Sequence, residues 1–281
     1  EEAEANGAII HLNTVVQEIR HSRERVETVC DDGRSFAASQ AVITLPLGVL
    51  QKQAVQFSPE LPAEKQAATK NLEMGHVLRI VLTFRQRFWE ALTTLDEEDN
   101  PVKFADAAFI HADGLAFPTW WTQLPIRAPV LVGWVGGPDA DRISASRNDA
   151  STHMKLTDVT LAGDAGTPLG SFVSEQAIAS LAQIFNLSTD YILDQLAVIY
   201  FHDWQQDQFS RGAYAYVPVG GLDDQSVLAQ PVDGVLFFAG EATTLGHIGT
   251  VHGAIMSGQR AAREILATFR DKTIRRQTQS D

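Results

Sequence analysis

Residues Leu236–Leu266 read LFFAGEATTLGHIGTVHGAIMSGQRAAREIL, and this stretch decides the fold. The apolar run before Gly240 predicts a buried strand, and the residues from Thr250 onward follow a helical spacing with small side chains on one side. A strand that turns into a helix in this way brings the helix amino terminus to the carboxyl end of the strand. The free N–H groups there stabilise negative charge, so the junction suits an anionic or electron-rich ligand. The alternative is a tight helix–sheet packing site without a ligand.

The remainder of the chain has two characters, which predict two domains. Residues 1–50 and 205–281 have α/β character, whereas residues 51–204 mix short strands and helices. We therefore predict an α/β plus α+β protein: a discontinuous Rossmann-like domain at 1–50 and 205–281, interrupted by a mixed-sheet substrate domain at 51–204. No G-x-G-x-x-G fingerprint occurs in the 281 residues, so the nucleotide-binding domain is expected to be incomplete.

Apolar periodicity and turn residues predict the individual elements. The predicted helices are Ala63–Asn71, Ser174–Phe185, Ser188–Gln195 with Ser188 as N-cap, and Thr250–Arg270; the predicted strands include Ala8–Leu12, Val15–His21, Ala41–Leu45, His76–Phe84, Val130–Val135 and Val235–Ala239. A hairpin is predicted around residues 31–33, and the polar, Gly/Ser/Thr-rich segment Asp139–Gly170 is predicted to be a mobile insertion.

Composition narrows the classes of partner. The chain has 22 basic and 35 acidic residues, a net charge of -13, which argues against nucleic acid and anionic membranes and favours cationic small molecules. Cys30 is the single cysteine, so no intrachain disulfide is expected, and the histidine spacings match no zinc pattern, so no metal site is expected. No apolar run reaches the ~18 residues of a membrane span. The compartment is not decided by the sequence; a soluble, cytoplasmic protein is the expectation.

Four ordered blocks of sequence resemble one family. F-A-G-E at 238–241, followed by V-H-G-A-x-x-S-G-x-R-A-A-R-E-I at 251–265, is similar to the terminal signature of the flavin-dependent amine oxidases. This family includes monoamine and polyamine oxidases and flavin histone demethylases. The segments LNTVV at 12–16 and TLPLGVL at 44–50 are similar to its central FAD-contacting block, and HDW with SRGAYAY at 202–216 is similar to the segment before the signature. The resemblance covers nearly the whole chain.

The resemblance implies a role for each matching position. Glu241 is expected to hydrogen-bond the ribose–pyrophosphate–ribityl part of FAD, and Tyr214 to form an aromatic wall beside the amine. The alternative for Tyr214 is a tyrosine of a glycine-rich hairpin. The implied cofactor-binding residues are Val16 at the adenine, Leu45 and Pro46 near the flavin, Gly240, Glu241, Thr250 and Val251 at the isoalloxazine ring, and Ala254; the implied catalytic residues are Tyr214, Arg79 and Thr250.

Three positions depart from the family pattern. Ala213 stands where some relatives carry the cysteine that binds flavin covalently, so FAD is expected to be noncovalent. Thr250 stands where some relatives carry a second aromatic residue. Arg79 stands where the family has a lysine that reaches flavin N5 through water; an arginine is always charged and cannot replace that lysine in kind. The alternative for Arg79 is a strand arginine held in a salt bridge.

The resemblance implies an enzyme that transfers hydride from the α-carbon of a small-molecule amine to flavin N5. Hydrolysis of the imine and reoxidation by oxygen, giving hydrogen peroxide, complete the implied cycle. A related FAD oxidoreductase of the desaturase kind is the enzymatic alternative. A non-catalytic remnant that binds no FAD by itself, or one half of an enzyme that a second chain completes, is the alternative from another class.

Overall fold

The computed structural model describes residues 2–95, 98–146, 160–162 and 172–278. The chain forms two compact units: the first unit comprises Glu1–Gly75 and Gln208–Asp281, and the second unit comprises His76–Asp207. Helices and strands occur in both units, and the sheets mix parallel and antiparallel pairs, so the fold is mixed α/β, as predicted. Within the described ranges, no helix has the length and apolar character needed to cross a membrane.

The first unit opens with a four-stranded sheet of order β3-β2-β1-β5. The elements before residue 76 are α1 (Glu2–Ala5), β1 (Val16–His21), β2 (Val26–Cys30), β3 (Ser35–Ala38), β4 (Ala41–Ile43), α2 (Leu47–Gln51), β5 (Gln56–Ser58), α3 (Ala63–Asn71) and β6 (Glu73–Gly75). The predicted hairpin is confirmed, because β2 and β3 pair in antiparallel fashion around Gly33, which has a φ of +83°. A left-handed φ costs glycine little, which explains its place in the turn.

The second unit is built on a six-stranded sheet of order β10-β11-β12-β7-β14-β13. Its elements are β7 (Val77–Phe84), β8 (Thr93–Leu95), β9 (Pro101–Lys103), β10 (Phe109–His111), β11 (Thr119–Trp121), β12 (Val130–Gly136), α4 (Pro138–Ser146), β13 (Thr160–Ala162), α5 (Phe172–Phe185), α6 (Thr189–Gln195) and β14 (Leu196–Phe201). One face of the sheet is buried in a cluster that contains Leu78, Ile80 and Leu82 of β7 together with Ile178 and Leu181 of α5. The period-2 pattern of β7 and the helical spacing of α5 therefore face each other across one core.

The chain returns to the first unit with β15 (Tyr214–Tyr216), α7 (Leu222–Ala229), β16 (Leu236–Phe238) and α8 (Val251–Thr278). Strand β16 pairs in parallel with β4, and β15 pairs antiparallel with β6. The three residues of β16 are almost completely buried because α8 packs on one side of the strand and the cluster of Ile19, Ile43 and Val235 lies on the other.

The boundaries between the two compact units lie at 75/76 and 207/208, whereas the sequence predicts domain boundaries at 50/51 and 204/205. Residues 51–75 lie with the first unit for two reasons. Strand β5 is parallel to β1, with Ile19 opposite Phe57, and Lys65 of α3 bonds to the carbonyl groups of Val227 and Leu228 at the end of α7. Pairings so distant along the chain are invisible in local patterns.

Other predicted elements are confirmed or corrected by the structure. Helix α3 has the predicted bounds, and Ser188 caps α6 by accepting a hydrogen bond from the Tyr191 N–H at 3.2 Å. The predicted strand Ala8–Leu12 is wrong, since these residues form no strand and are exposed. Within the predicted insertion Asp139–Gly170, residues 139–146 belong to α4 and residues 160–162 form β13; its residues 147–159 and 163–170 lie outside the described ranges.

Candidate active site

Two parallel strands end at the same edge of the first unit. Because β16 and β4 run side by side, with the Ala239 N–H donating to the Ile43 carbonyl at 2.9 Å, their carboxyl ends are adjacent. The segment Leu45–Pro46 follows β4, and Gly240 and Glu241 follow β16. Ligands of open α/β sheets bind at such an edge, and these four predicted cofactor-binding residues follow its two strands from opposite ends of the sequence.

Gly240 gives the turn after β16 its shape. Its φ of 130° and ψ of 165° lie where only glycine is comfortable, and a Cβ atom built on it would have nothing within 4 Å. The Gly240 N–H donates to Ser257 Oγ at 2.8 Å, and that hydroxyl donates to the Ala254 carbonyl at 2.6 Å. The turn is thereby fixed to α8, while its outer side stays open to the approach of a ligand.

Thr250 is the N-cap of α8. Its Oγ1 accepts a hydrogen bond from the Gly253 N–H at 2.9 Å and donates to the His247 carbonyl at 2.7 Å. The N–H groups of Val251 and His252 precede the first intrahelical hydrogen bond, so they remain donors at the positive end of the helix. Val251 is 79% exposed. The capped terminus therefore offers two N–H donors to an electron-rich group.

Glu241 connects the turn to two further segments. Its Oε1 accepts the Ala215 N–H at 3.1 Å, and its Oε2 accepts the Gly249 N–H at 2.7 Å. Gly249 has a φ of +72°, and a Cβ atom on it would lie 3.2 Å from Cδ2 of Tyr214. The structure thus brings Tyr214, Glu241 and the segment that leads into Thr250 together. Tyr214 is 39% exposed beside that segment.

The remaining predicted positions lie further from the turn or in the second unit. Leu45 and Val16 are half-buried against the hydrophobic cluster of the first unit, and Pro46 immediately precedes α2. Arg79 lies in β7 of the second unit, exposed on the face opposite the core, with Trp134 of β12 directly across the ladder. In the described part of the chain, no residue forms an ion pair or hydrogen bond with Arg79, so the salt-bridge alternative finds no partner there.

Two cations support the site and were not predicted from the sequence. The Arg260 guanidinium donates to the Phe238 carbonyl at 2.7 Å and to Thr243 Oγ1 at 3.1 Å, on either side of the Gly240–Glu241 turn. Lys65 is buried, lies 4.1 Å from the centre of the Phe238 ring and donates to two carbonyl groups at the end of α7. Desolvation, helped by the charge of Arg260, lowers the pKa of Lys65 to about 8. Arg260 belongs to the terminal sequence block, but nothing there indicates its hydrogen bonds. No pattern in the sequence singles out Lys65.

Three aromatic residues of the second unit differ in burial. Phe117 and Trp120 are fully buried in the core of the second unit, and the Trp120 indole donates to the Phe117 carbonyl at 2.9 Å, so both are packing residues. Trp121 is half-buried on the opposite face of the sheet. Among the described residues, no group of three or more His, Cys, Asp or Glu side chains could hold a metal ion.

Known proteins decide the family. A model of the flavin containing amine oxidoreductases matches residues 1–266. The chain belongs to this family. The chain is 31% identical to lysine-specific histone demethylase 1 homolog 3 of Arabidopsis thaliana over 96% of its length, and 30% identical to polyamine oxidase 3 of Oryza sativa subsp. japonica over 95%. It spans 15% of the first relative and 48% of the second.

Solved structures of amine oxidases show the same fold. The chain superposes on putrescine oxidase bound to putrescine with a TM-score of 0.69 at 20% identity, covering 94% of this chain and 51% of that one. Its TM-score with cyclohexylamine oxidase from Brevibacterium oxydans is 0.64, again at 20% identity, over 91% of this chain and 48% of that one.

The residues present fit a flavin. A dinucleotide and its ring need close backbone approach, hydrogen-bond donors for electron-rich edges and an apolar surface. The open side of Gly240, the Thr250-capped terminus of α8 and the exposed Val251 supply these in turn. Because residue 213 is an alanine, that position has no thiol that could bond covalently to a flavin.

Proposed function

We propose that this chain binds FAD and an amine and takes part in the FAD-dependent oxidation of that amine. The observation that carries the proposal is the junction at Glu241, where the Tyr214 ring, the open Gly240 turn and the capped terminus of α8 share one edge of the first unit. Family membership supports the flavin, and the relatives are named for polyamine, putrescine, cyclohexylamine and histone lysine, which have an amino group in common.

In this proposal, Gly240, Glu241, Thr250, Val251 and Ala254 hold the FAD, with Leu45 and Pro46 near its ring and Val16 near its adenine. Bound FAD supplies the acceptor for the hydride that leaves the amine α-carbon. Tyr214 offers a flat face that restricts the orientation of the amine, and the N–H groups of Val251 and His252 stabilise negative charge at the ring edge. The released imine hydrolyses in water to a carbonyl compound, and oxygen is the proposed final acceptor, giving hydrogen peroxide.

Titration with FAD tests the proposal. We expect the purified chain to take up FAD, with absorbance between roughly 350 and 500 nm that bleaches when an amine is added without oxygen. A protein that is colourless after unbound FAD has been removed contradicts the proposal. So does a protein whose flavin colour no amine bleaches.

Substitution of Tyr214 tests its role in that site. We expect Tyr214→Ala to slow amine turnover by about ten- to a hundredfold through lost orientation, with FAD still bound, and Tyr214→Phe to retain most turnover because the ring face is kept. Tyr191→Ala, an equally exposed tyrosine of the second unit, is the matched control. Turnover that is unchanged in Tyr214→Ala removes this residue from the proposed site.

A second candidate is that another polypeptide completes the site, or that the chain is non-catalytic. The observation that favours it is the exposure of apolar residues in the first unit: Val251 and Ile255 on α8, and Ile9 and Leu12 near the amino end. Such residues are suited to burial against additional protein. FAD binding by the chain alone argues against this candidate, whereas FAD binding that appears only with a second chain supports it.

A further inference from the structure

Glu241 holds a position in the fold that is determined before any ligand binds. It follows Gly240, whose N–H is bound by Ser257 Oγ and whose carbonyl accepts the Thr243 hydroxyl at 2.9 Å. Arg260 also bonds to Thr243 Oγ1 at 3.1 Å. The backbone that carries the Glu241 side chain is therefore anchored to α8 from two sides.

Both oxygens of the Glu241 carboxylate accept hydrogen bonds from the protein itself. One bond reaches the Ala215 N–H in the middle of β15, and the other reaches the Gly249 N–H, next to the N-cap of α8. Hydrogen bonds to an ionised acceptor are the stronger kind. A single carboxylate thus joins two segments that are 34 residues apart in sequence, counted from 215 to 249.

The joined segments carry the two halves of the proposed reaction site. Ala215 is buried between Tyr214 and Tyr216, and Gly249 immediately precedes Thr250. A Cβ atom on Gly249 would meet Tyr214 Cδ2 at 3.2 Å and the Ala215 carbonyl at 3.4 Å, so the two segments already lie in van der Waals contact. Their spacing is therefore set by the Glu241 bridge and limited by the bare glycine.

We propose that Glu241 is a positioning residue, whose carboxylate fixes the distance between the Tyr214 ring and the start of α8 and so sets the orientation of the amine. This inference rests on the proposed function for the meaning of that distance, but the bridge itself does not. It adds to the direct FAD contact that the family resemblance implies, because each ionised oxygen keeps a further lone pair beside the one that accepts a protein N–H.

The test is Glu241→Gln, which keeps the size of the side chain but turns its –NH₂ group towards one of the two N–H donors. In the FAD-free chain, we expect amide hydrogen exchange at Ala215 and Gly249 to speed up by about tenfold or more, because each loses an ionised acceptor. Exchange in β1 and β2 should stay unchanged. Glu73→Gln, an exposed change in the strand that pairs with β15, is the matched control and should leave exchange at both amides as it is.

A second variant guards against simple misfolding. Glu241→Asp keeps the charge on a shorter arm, so we expect it to protect one of the two amides and to give intermediate exchange. In the FAD-saturated protein, Glu241→Gln should raise the KM for the amine by about tenfold, since the orientation of the amine is lost even when FAD is fully bound.

The outcomes separate the inference from the proposed function. Faster exchange at both amides supports the bridge even if no preparation takes up FAD, in which case only the proposed function fails. Unchanged exchange at both amides overturns the inference; a sharp fall in FAD affinity beside unchanged exchange would leave Glu241 as a cofactor ligand alone.

Discussion

At the residue scale, Gly249 shows how much of the site depends on an absent side chain. It combines a left-handed φ of +72° with the 3.2 Å approach to the Tyr214 ring. Gly246 has a similar φ of +75° but nothing within 4 Å of a Cβ position. The two glycines therefore separate the cost of backbone strain from the cost of contact.

We expect Gly246→Ala to lower the free energy of unfolding by about 1 kcal/mol, because alanine disfavours a positive φ, and Gly249→Ala to lower it by more, because the contact with Tyr214 adds to the same strain. Only Gly249→Ala should also displace the Tyr214 ring, since its methyl group must push that ring outward. Tyr214 ring chemical shifts in NMR spectra measure the displacement without any cofactor. Equal shifts in the two variants would show that the contact does not hold the ring.

Lys65 is the second residue whose environment decides its behaviour. It is buried with no described carboxylate partner, and its two described acceptors are the carbonyl groups of Val227 and Leu228. A neutral amine has two hydrogens to donate and can serve both. Burial therefore favours the neutral form, and the pKa is lowered from 10.5 to about 8.

The lowered pKa of Lys65 predicts a pH dependence of stability. Between about pH 8 and 10.5 the unfolded chain binds the proton and the folded chain does not, so this residue stabilises the fold increasingly as pH rises, by up to about 3 kcal/mol. As pH falls through about 8, the contribution is lost. Urea unfolding of wild type and Lys65→Met at pH 7.5 and 10 measures it: the stability difference should shift towards wild type at high pH. Lys70→Met, exposed on the same helix, should show no such shift.

At the element scale, strand β7 alternates buried core residues with residues on the opposite face of the sheet. Leu78, Ile80 and Leu82 are fully buried in the core of the second unit, whereas Arg79 is exposed between them. This alternation is the period of a strand with one covered face, and the apolar sequence around Arg79 predicts it. Because Arg79 lies on the exposed face, we expect it to contribute little to the stability of the fold.

We expect Arg79→Ala to change the free energy of unfolding by less than about 0.5 kcal/mol, as an exposed change does, and the neighbouring Ile80→Ala to lower it by about 2–5 kcal/mol through the cavity it leaves. Denaturant unfolding of both variants measures the contrast. A loss of more than 1 kcal/mol in Arg79→Ala would reveal a structural partner for the guanidinium and revive the salt-bridge alternative.

Elements with a local signal could be predicted, and elements that depend on distant partners could not. Helix α3 begins after Pro62 and α6 begins at a capping serine, and both causes are visible in the sequence. The run Ala8–Leu12 has the composition of a strand but forms none, because a strand also needs a neighbouring edge. The Glu241 bridge is likewise a long-range fact: the residue could be singled out, but its two acceptor bonds depend on where β15 and Gly249 lie.

At the scale of the whole molecule, the boundaries at 75/76 and 207/208 arise from pairings that cross the sequence. Strand β4 pairs with β16, and strand β1 pairs with β5. Residues from the amino-terminal and carboxyl-terminal parts of the chain therefore share one core. The first unit consequently contains all the predicted cofactor-binding residues, and the second unit contains Arg79. The terminal block could identify the family, but it could not reveal which intervening segments belong with it.

The net charge of -13 gives the last prediction. A strongly acidic protein raises the local concentration of cations, and salt screens this attraction over a Debye length of about 10 Å at 0.1 M. We expect the KM of the FAD-loaded protein for a doubly protonated diamine to rise severalfold between roughly 20 and 200 mM NaCl, and the KM for a monoamine to rise about half as steeply on a logarithmic scale, with kcat unaffected. Steady-state kinetics at fixed pH compare the two slopes. Equal slopes would mean that the negative charge lies too far from the Tyr214 edge to act on the substrate, and selection among amines would then rest on contacts alone.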